Sequence, residues 1–506
     1  MAAFTKKEKS WIMYDWANSV YATIIMSAVF PIYFASVAKM HGMAGDVWWG
    51  YATSITSFVV ALSAPFLGAL GDFKGMKKRL FLIFLIAGSF FTACTAFTDQ
   101  PILLLAGYCL SFIGFEGSLL FYDSFLTDVT VPERMNRVSS YGYAMGYLGG
   151  STIPFMISIT LILFGGSFGI DGTLAVKLSI MMTSCWWLLF SFPLLRHVRQ
   201  VHYIDRPKNQ LIQNALGNLK NTGIAIISNR KLLFFVIAYF FYIDGVGTVI
   251  SMSTSYGSTL GLSSSMMILA LFLTQILAVP FSILFGRLTD RLGVYRMLQV
   301  GVVMYMLICV LGFYLGFSLE PHQQVYENKL IQIVNNNGTQ LDRQTLESVR
   351  ETGRSVLAKS DRDQAFAEQI DRLAESKNTG EKSELIKIKK AASTFLADPK
   401  QSEDYTRALN RSTMLFWLLA ILVSTCQGGI QAISRAFYAS LIPSSRSNEF
   451  FGFFDVFGKF AAVIGPALYA FSSAATGRSS YGILSLLAIF AIGLAALTVS
   501  KAHFKE

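Results

Sequence analysis

The chain has 506 residues, of which 53% are hydrophobic and only 14% are charged. Soluble domains carry about 25% charged residues, so this chain has too little charge to cover the surface of a large soluble enzyme. A disordered chain and a disulfide-rich secreted module are also excluded, because the sequence contains 42 phenylalanines and only five cysteines. An integral membrane protein with many spans fits this composition.

Long runs without Asp, Glu, Lys or Arg recur along the chain, at residues 16–38, 47–71, 297–319, 412–434 and 479–500. A helix needs about 20 apolar residues to cross the hydrocarbon core, and a helix pairs its own backbone groups in lipid. We therefore predict an all-α integral membrane protein with twelve transmembrane helices. The predicted spans are residues 11–38, 47–70, 79–98, 101–127, 138–164, 174–194, 232–256, 263–286, 296–318, 413–436, 450–474 and 481–500.

Basic residues predict the orientation of these spans. If the N-terminus is cytoplasmic, the short outer loops carry only Lys39, Lys177 and Arg478, whereas the inner segments hold most of the other basic side chains. Both termini are therefore expected in the cytoplasm, in a bacterial inner membrane or in a vacuolar or plasma membrane. The net charge of +11 is split among many loops, so it indicates topology and lipid contact but no nucleic-acid partner.

The spans divide into two halves. Residues 1–195 form a predicted N-terminal six-helix bundle, residues 196–231 a cytoplasmic linker, and residues 232–506 the C-terminal six-helix bundle. The linker contains a short amphipathic helix that we expect to lie on the inner membrane surface. The architecture is therefore a pseudo-symmetric 6+6 bundle, and we expect a monomer in the lipid bilayer.

One polar segment, residues 320–411, interrupts the membrane pattern between the ninth and tenth spans. Its apolar residues recur at helical spacing, which predicts an inserted helical domain outside the membrane, on the extracytoplasmic side. Two interpretations remain open. The insertion is either a small bundle that the fold tolerates, or a cap that docks a partner.

A loop pattern occurs twice, once after the second span and once after the eighth. The matching residues are Gly68, Asp72, Gly75, Lys77 and Lys78 in the first loop, and Gly286, Asp290, Arg291, Gly293 and Arg296 in the second. The glycines allow helices to approach closely, and each aspartate ends a span where a neighbouring helix N-terminus can stabilise it. We expect the basic residues at the lipid headgroups. Each loop is thus a predicted conformational latch, the alternative being simple charge after a helix.

The duplicated loop resembles the hallmark of the major facilitator superfamily. The closer resemblance is to the autophagy-related vacuolar effluxer family and its bacterial relatives. It rests on residues 14–21 (YDWANSVY), 142–150 (GYAMGYLGG), 427–435 (QGGIQAISR), 449–453 (EFFGF) and 458–462 (GKFAA). The resemblance implies alternating access, and a role in amino-acid release. Residues 320–411 depart from the compact loop of that family.

Three ionisable side chains fall at membrane depth, namely Glu116, Asp123 and Asp244. Such groups are costly in a bilayer and are therefore functional candidates. We predict that they take part in proton coupling or substrate contact. The alternative is a structural hydrogen bond to a neighbouring helix.

Further polar side chains are candidates for substrate binding, namely Asp15, Asn18, Tyr21, Gln427 and Gln431. Asp455 and Lys459 are four residues apart on one helix, which favours mutual neutralisation. Arg435 lies near an inner helix end, where we expect it to anchor the helix by reaching to the headgroups.

These observations predict a secondary transporter that moves a small polar solute by alternating access, with proton-linked export of an amino acid as the first choice. The alternatives are efflux of a siderophore, drug or other amphipathic metabolite, and a transporter-like receptor that uses residues 320–411. The predicted spans contain no HExxH or GxSxG motif, no histidine and no cysteine pair, so we expect neither an enzyme nor a metal or other cofactor.

Overall fold

The computed structural model describes residues 3–205, 211–339, 341–356, 362–375, 377 and 379–503. Residues 206–210 of the predicted linker, and residues 340, 357–361, 376 and 378 of the predicted insertion, lie outside these ranges. The described chain is almost entirely helical.

Within residues 3–205, the N-terminal half contains nine α-helices. They are α1 Lys6–Tyr21, α2 Phe30–Met40, α3 Gly45–Gly71, α4 Met76–Thr95, α5 Pro101–Ser124, α6 Leu126–Val129, α7 Pro132–Met145, α8 Ile153–Phe164 and α9 Gly172–His197. The linker contributes α10 Leu211–Ser228. The C-terminal half contains α11 Arg230–Thr259, α12 Ser264–Leu292, α13 Val294–Asn337, α14 Arg343–Val356, α15 Arg362–Glu375, α16 Thr379–Ala397, α17 Pro399–Leu441, α18 Ser447–Thr476 and α19 Ser479–His503.

Twelve helical stretches are long and apolar enough to cross a membrane, as predicted. The first, fourth and fifth are composite, since they join α1 to α2, α5 to α6, and α7 to α8. The other nine are α3, α4, α9, α11, α12, α13, α17, α18 and α19.

Two of the composite spans contain π-helical segments, which the sequence pattern did not predict. Ala22–Ala28 joins α1 to α2, and Gly146–Thr152 joins α7 to α8. Each segment ends just before a proline, Pro31 or Pro154. Proline lacks a backbone N–H, so the preceding turn must rearrange its hydrogen bonds. The two segments touch, since the Thr23 hydroxyl donates to Ser151 Oγ at 2.9 Å.

The two halves pack together at the ends of the spans that lie on the same side as both termini. There α3 packs against α18, and α7 packs against α12 and α17. Gly452 at the start of α18 lies against the backbone of Ala64 and Pro65 near the end of α3. The protein is therefore closed on the terminus side in this conformation.

The insertion is a helical bundle, as predicted, but its boundaries differ from those expected. Helices α13 and α17 continue out of the membrane without a break, so the bundle is built from their extensions together with α14, α15 and α16. Its core includes Tyr326, Phe366, Ile388 and Phe395. Since the extensions belong to the ninth and tenth spans, the bundle is a continuation of the C-terminal half.

The linker helix α10 packs on protein along one face. Ala215 is fully buried against Ala69 and Phe73 at the end of α3. Arg446, just before α18, donates to the Asn218 carbonyl at 3.0 Å. The expectation that α10 simply lies on the membrane surface was therefore incomplete, because this helix contacts both halves beside their closed interface.

Candidate functional site

The first loop holds the terminus side closed through Asp72. Its Oδ1 accepts hydrogen bonds from the Asn448 backbone at 2.9 Å and from Asn448 Nδ2 at 2.7 Å, and its Oδ2 accepts one from the Glu449 backbone at 3.0 Å. Asn448 and Glu449 lie in the first turn of α18, where backbone N–H groups have no partner within the helix. The predicted stabilisation of Asp72 by a helix N-terminus is confirmed.

Lys77 forms a second, fully buried contact between the halves. Its Nζ lies 2.7 Å from Asp128 Oδ2, with both side chains completely buried, and donates to Ser447 Oγ at 3.0 Å. The expectation that Lys77 lies at the lipid headgroups was therefore wrong. A buried carboxylate at the end of the fourth span needs a cation, and Lys77 is close enough to supply it.

The segment after α9 fixes the first loop in place. Ile204 pairs with the loop backbone, accepting from the Lys74 amide at 3.0 Å and donating to the Asp72 carbonyl at 2.8 Å. The amides of Val201 and His202 donate to Asp128 Oδ1 at 2.9 Å and 2.8 Å. The linker thus joins the loop and the fourth span into one unit.

The same segment contacts three more residues of the loop. Gln200 Oε1 accepts a hydrogen bond from the Gly75 amide at 2.9 Å, and Gln200 Nε2 donates one to the Gly71 carbonyl at 3.1 Å. Lys78 donates to the Val198 carbonyl at 3.1 Å. Gly75 has φ of +74°, a left-handed conformation that favours glycine, so this residue lets the loop turn into α4.

The second loop is different. Gly286 packs closely against Ser140, as the prediction of close helix approach required. However, Asp290, Arg291, Gly293 and Arg296 are all exposed. Asp290 interacts electrostatically with Arg137 on α7 of the other half. In this conformation the second loop therefore contributes an exposed carboxylate where the first contributes a buried one, and the latch role of both loops stays a prediction.

Arg435 on α17 bridges the halves instead of anchoring a helix to the headgroups. It is only 4% exposed. Its guanidinium lies 3.1 Å from Asp15 Oδ2 on α1 and 2.9 Å from Asp123 Oδ1 on α5. The predicted anchor role was wrong, since two carboxylates of the other half hold this guanidinium inside the protein.

Two neighbours complete the surroundings of Arg435. The Tyr122 hydroxyl donates to Asp15 Oδ2 at 2.7 Å, and the Arg435 guanidinium lies 4.7 Å from the Trp11 ring centroid. Gly142 leaves room for Asp15, because a Cβ at that position would collide with Oδ2. The resembling stretches 14–21, 142–150 and 427–435 thus meet at one place.

A second ion pair crosses between the halves deeper in the spans. Lys459 Nζ on α18 lies 2.7 Å from Glu116 Oε2 on α5. Asp455 also interacts electrostatically with Lys459, as the predicted mutual neutralisation requires, but Glu116 is the second partner that this prediction left out. The sequence could not show this pair, because its members are 343 residues apart.

These contacts define an inter-half charge cluster, namely Asp15, Glu116, Asp123, Asp455, Arg435 and Lys459. It contains four carboxylates and two basic groups, so acids are in excess. Its members are linked electrostatically, since Asp123 interacts with Glu116 as well as with Asp15 and Arg435. The structure therefore brings together Glu116, Asp123 and Asp15 from the predicted site residues.

Asp244 lies apart from this cluster, in the middle of α11. It is 1% exposed, and neither carboxylate oxygen has a hydrogen-bond partner within the described part of the chain. Asp244 is therefore unlike Glu116 and Asp123, which pair with a basic group.

The other predicted substrate contacts are divided. Asn18 is buried beside the cluster, and its Nδ2 has no partner among the described residues. Tyr21 is enclosed within the N-terminal half, where it stacks on Phe115 and pairs with Ser111 Oγ at 2.7 Å. The structure does not bring Tyr21 to the interface between the halves.

Two cavities lie near the predicted site. One, of about 330 Å³, is an open groove between α3 and α18 that is lined by the polar residues Thr53, Ser54, Ser57 and Lys459 and by the apolar residues Phe58, Ala61, Phe460 and Val463. The other, of about 100 Å³, lies within the C-terminal half and includes Gln427. Gln431, on the same helix as Gln427, is half-buried.

Within the described residues, no group of three His, Cys, Asp or Glu side chains could hold a metal ion.

Comparison with known proteins places these features in a family. The family model described as "Vacuole effluxer Atg22 like" matches residues 49–133, 128–327 and 411–503. These matches leave out residues 328–410, which correspond to the insertion. The uncharacterized MFS-type transporter YxiO of Bacillus subtilis (strain 168) is 37% identical over 504 residues, covering 98% of this chain and 95% of YxiO.

More distant relatives agree. Autophagy-related protein 22 of Cryptococcus neoformans (strain JEC21) is 23% identical over 379 residues, covering 72% of this chain and 50% of that protein. Among solved structures, the human organic anion transporter MFSD10 superposes with a TM-score of 0.61 at 13% identity, covering 97% of this chain and 99% of that one. The Escherichia coli fucose:proton symporter FucP gives 0.57 at 11% identity, covering 98% and 97%.

Proposed function

Because the chain belongs to the Atg22-like vacuole effluxer family of the major facilitator superfamily, we propose that it moves a small polar solute across its membrane by alternating access. The Glu116–Lys459 pair carries this proposal, since it joins the halves within the spans. It lies beside a cavity of about 330 Å³, which is the size of a small-molecule site. Its two charges must separate if the halves are to part.

The proposed solute carries both charges, as an amino acid or a related metabolite does. Its ammonium group would bind Glu116 and its carboxylate would bind Lys459, replacing the ion pair between the halves. The side chains of Glu116 and Lys459 are only 15% and 18% exposed, so leaving either charge without its partner is costly. A solute that supplies both partners offsets this cost while the halves separate, whereas a solute with one charge does not.

The proposed direction is export and the proposed driving force is a proton gradient. The acids within the spans, Glu116, Asp123 and Asp244, support proton coupling, because a carboxyl group at membrane depth can exchange a proton when its surroundings change. The description of the family as effluxers supports export. Both termini would then lie in the cytoplasm, and the structure would be closed on the cytoplasmic side.

A second candidate is efflux of an amphipathic metabolite. The cavity of about 100 Å³ in the C-terminal half supports it, because its lining is mainly apolar. Only a few polar groups, Gln275 and Gln427 among them, contribute to this lining. Such a cavity favours a solute with an apolar group, and a solute panel that includes amphipathic compounds distinguishes the two candidates.

The insertion has a proposed role as a cap that moves with the C-terminal half, and partner docking is the alternative. Its direct continuity with α13 and α17 supports movement with that half. Replacing residues 320–411 with a short loop separates the two roles. Retained transport in reconstituted vesicles would contradict a required partner at this domain.

The transport proposal is tested in vesicles reconstituted with the purified chain and a panel of radiolabelled amino acids, with and without a pH gradient. We expect gradient-dependent movement of at least one zwitterion, lost in Glu116→Gln and in Lys459→Gln. Glu133→Gln, which neutralises an exposed carboxylate outside the site, is the matched control and should transport like the unmodified chain. If both charge variants transport normally, the proposed binding mode is wrong.

A further inference from the structure

Asp244 is a buried acid that pairs with no lysine or arginine side chain among the described residues. Its residue exposure is 1%, and both carboxylate oxygens lack a hydrogen-bond partner among the described residues. Glu116 and Asp123, by contrast, lie within 2.9 Å of a lysine or arginine nitrogen. Basic side chains therefore stabilise the ionised forms of Glu116 and Asp123, whereas Asp244 has no basic side chain beside it in the part of the chain that the structure describes.

In the described part of the chain, the immediate neighbours of Asp244 offer its charge no cation, and only the Gly465 backbone amide on α18 gives it some support. Thr248 donates its hydroxyl to the Asp244 backbone carbonyl at 2.7 Å, so this proton is not directed at the carboxylate. Gly465 on α18 lies so close that an added Cβ would be 3.0 Å from Oδ1. The ring of Phe490 on α19 packs against the adjacent Gly245. These contacts enclose the carboxylate with uncharged groups.

The charged groups of the surrounding helices are engaged elsewhere. On α18, Lys459 pairs with Glu116, and Asp455 precedes it by one turn. On α17, Arg435 pairs with Asp15 and Asp123. Helix α19 carries no Asp, Glu, Lys, Arg or His at residues 479–500. The charged residues of α12 lie in its last two turns, and α13 has none between Arg296 and Glu320, where its apolar stretch ends.

An ionised carboxylate without a partner is very costly in a low-dielectric interior, so such a group takes up a proton. Building on the transport function proposed above, we propose that Asp244 is the proton-carrying residue of this transporter. Glu116 and Asp123 then serve as ion-pair partners that hold the halves together. The carboxyl group is neutral while the terminus side is closed, and it releases its proton when water reaches it.

Helix α18 provides the connection between this proton site and the movement of the halves. Its first turn binds Asp72 through Asn448, and its middle binds Glu116 through Lys459. Next along the helix are Gly465, which covers Asp244, and Pro466. Proline interrupts helical hydrogen bonding and permits bending. When the halves part, α18 can bend here and move Gly465 away from the carboxyl group.

Infrared pH-difference spectroscopy of the purified chain in lipid bilayers tests this assignment without a solute. A protonated carboxyl group that makes no hydrogen bond absorbs at the high-frequency end of the carboxyl C=O region. We expect this band in the unmodified chain and in Glu116→Gln, and its loss in Asp244→Asn. The Asp244→Glu variant should restore the band at a shifted frequency, which separates loss of the group from misfolding.

A band that persists in Asp244→Asn, or that is lost in Glu116→Gln while Asp244 is intact, would overturn the assignment. The outcome is independent of the proposed solute. If no zwitterion is transported but the band still belongs to Asp244, the transport proposal fails while the proton site stands.

Discussion

The two copies of the loop pattern differ more in structure than in sequence. Both carry Gly, Asp, Gly and a basic residue at matching places. In the first copy Asp72 and Lys77 are buried and bound across the halves, whereas in the second copy Asp290 and Arg291 are exposed. The difference comes from what surrounds each loop. A motif of this kind thus defines a potential contact, and its partners decide whether the contact forms.

The surroundings differ because the linker lies against only one loop. Residues 198–204 supply the backbone partners of the first loop and of Asp128. The second loop is instead contacted by side chains of α7, where Arg287 donates to the Tyr141 hydroxyl at 3.3 Å and Asp290 interacts electrostatically with Arg137. An asymmetric closure is therefore built on a duplicated sequence. If this asymmetry also holds for the free energies of the two contacts, a substitution in the first loop will destabilise the protein more than the matched substitution in the second loop.

The largest effect is expected from Lys77→Met. The substitution removes the lysine from the buried Asp128 carboxylate and leaves it only the His202 side chain and two backbone amides, which costs about 3–5 kcal/mol. Its counterpart Arg291→Met changes an exposed side chain and should cost at most about 0.5 kcal/mol. Thermal unfolding in detergent measures both. Adding Asp128→Asn to Lys77→Met should recover part of the loss. Equal melting temperatures for the Lys77 and Arg291 variants would contradict the asymmetry.

A smaller effect is expected from Asp72→Ala, which removes the acceptor from the N–H groups of Asn448 and Glu449. A buried donor left without an acceptor costs about 1–3 kcal/mol, so the terminus side should open about tenfold more often. A cysteine at Ala64, introduced after replacing the native cysteines, reports this opening through its rate of thiol labelling. Asp290→Ala is the control and should leave the rate unchanged. Equal labelling rates in Asp72→Ala and Asp290→Ala would contradict a closure that depends on Asp72.

The glycines should show a similar but weaker contrast. In Gly68→Ala the new methyl group meets the Asn448 backbone, which cannot move aside, whereas in Gly286→Ala it meets the Ser140 side chain. Overpacking of this kind costs about 1–3 kcal/mol. We expect Ser140→Gly to rescue Gly286→Ala in the same labelling assay. If Asn448→Ala restores the normal labelling rate to Gly68→Ala, the clash is with the Asn448 side chain and not with its backbone, which would contradict this explanation.

The smallest effect is expected from Gln200→Ala, which removes one side chain of the linker from the first loop. Loss of a single hydrogen bond costs about 0.5–1.5 kcal/mol. Hydrogen exchange at the Gly75 amide should therefore become several-fold faster, since this amide donates to Gln200 Oε1. Exchange in the second loop should not change. Faster exchange in both loops would indicate general loosening of the protein.

The sequence predicted the parts of the fold that depend on composition and period. Twelve apolar stretches and one polar insertion follow from hydropathy alone, and they are confirmed. The π segments were not predicted, because hydrophobic periodicity does not reveal where the backbone changes from the α-helical to the π-helical hydrogen-bond pattern before Pro31 and Pro154. The continuation of α13 into the insertion was also missed, because a change from apolar to polar residues marks the membrane boundary but not the end of a helix.

The site was harder to predict because its pairs are remote in sequence. Glu116 and Asp123 were identified from their depth in a span, yet their partners Lys459 and Arg435 were assigned to local roles. An i,i+4 rule favours Asp455 for Lys459, but tertiary packing brings Glu116 closer. The signal that could have found Arg435 was its place within residues 427–435, one of the stretches that carry the family resemblance.

The central claim, that the halves rock and open alternately, is tested by two spin-label distances in bilayers. One pair, at Lys74 and Arg291, reports the terminus side, and the other, at His41 and Ser258, reports the opposite side; all four positions are exposed. Double electron–electron resonance should show that Asp72→Ala lengthens the first distance and shortens the second. Distances that change in the same direction, or that do not change, would contradict alternating access.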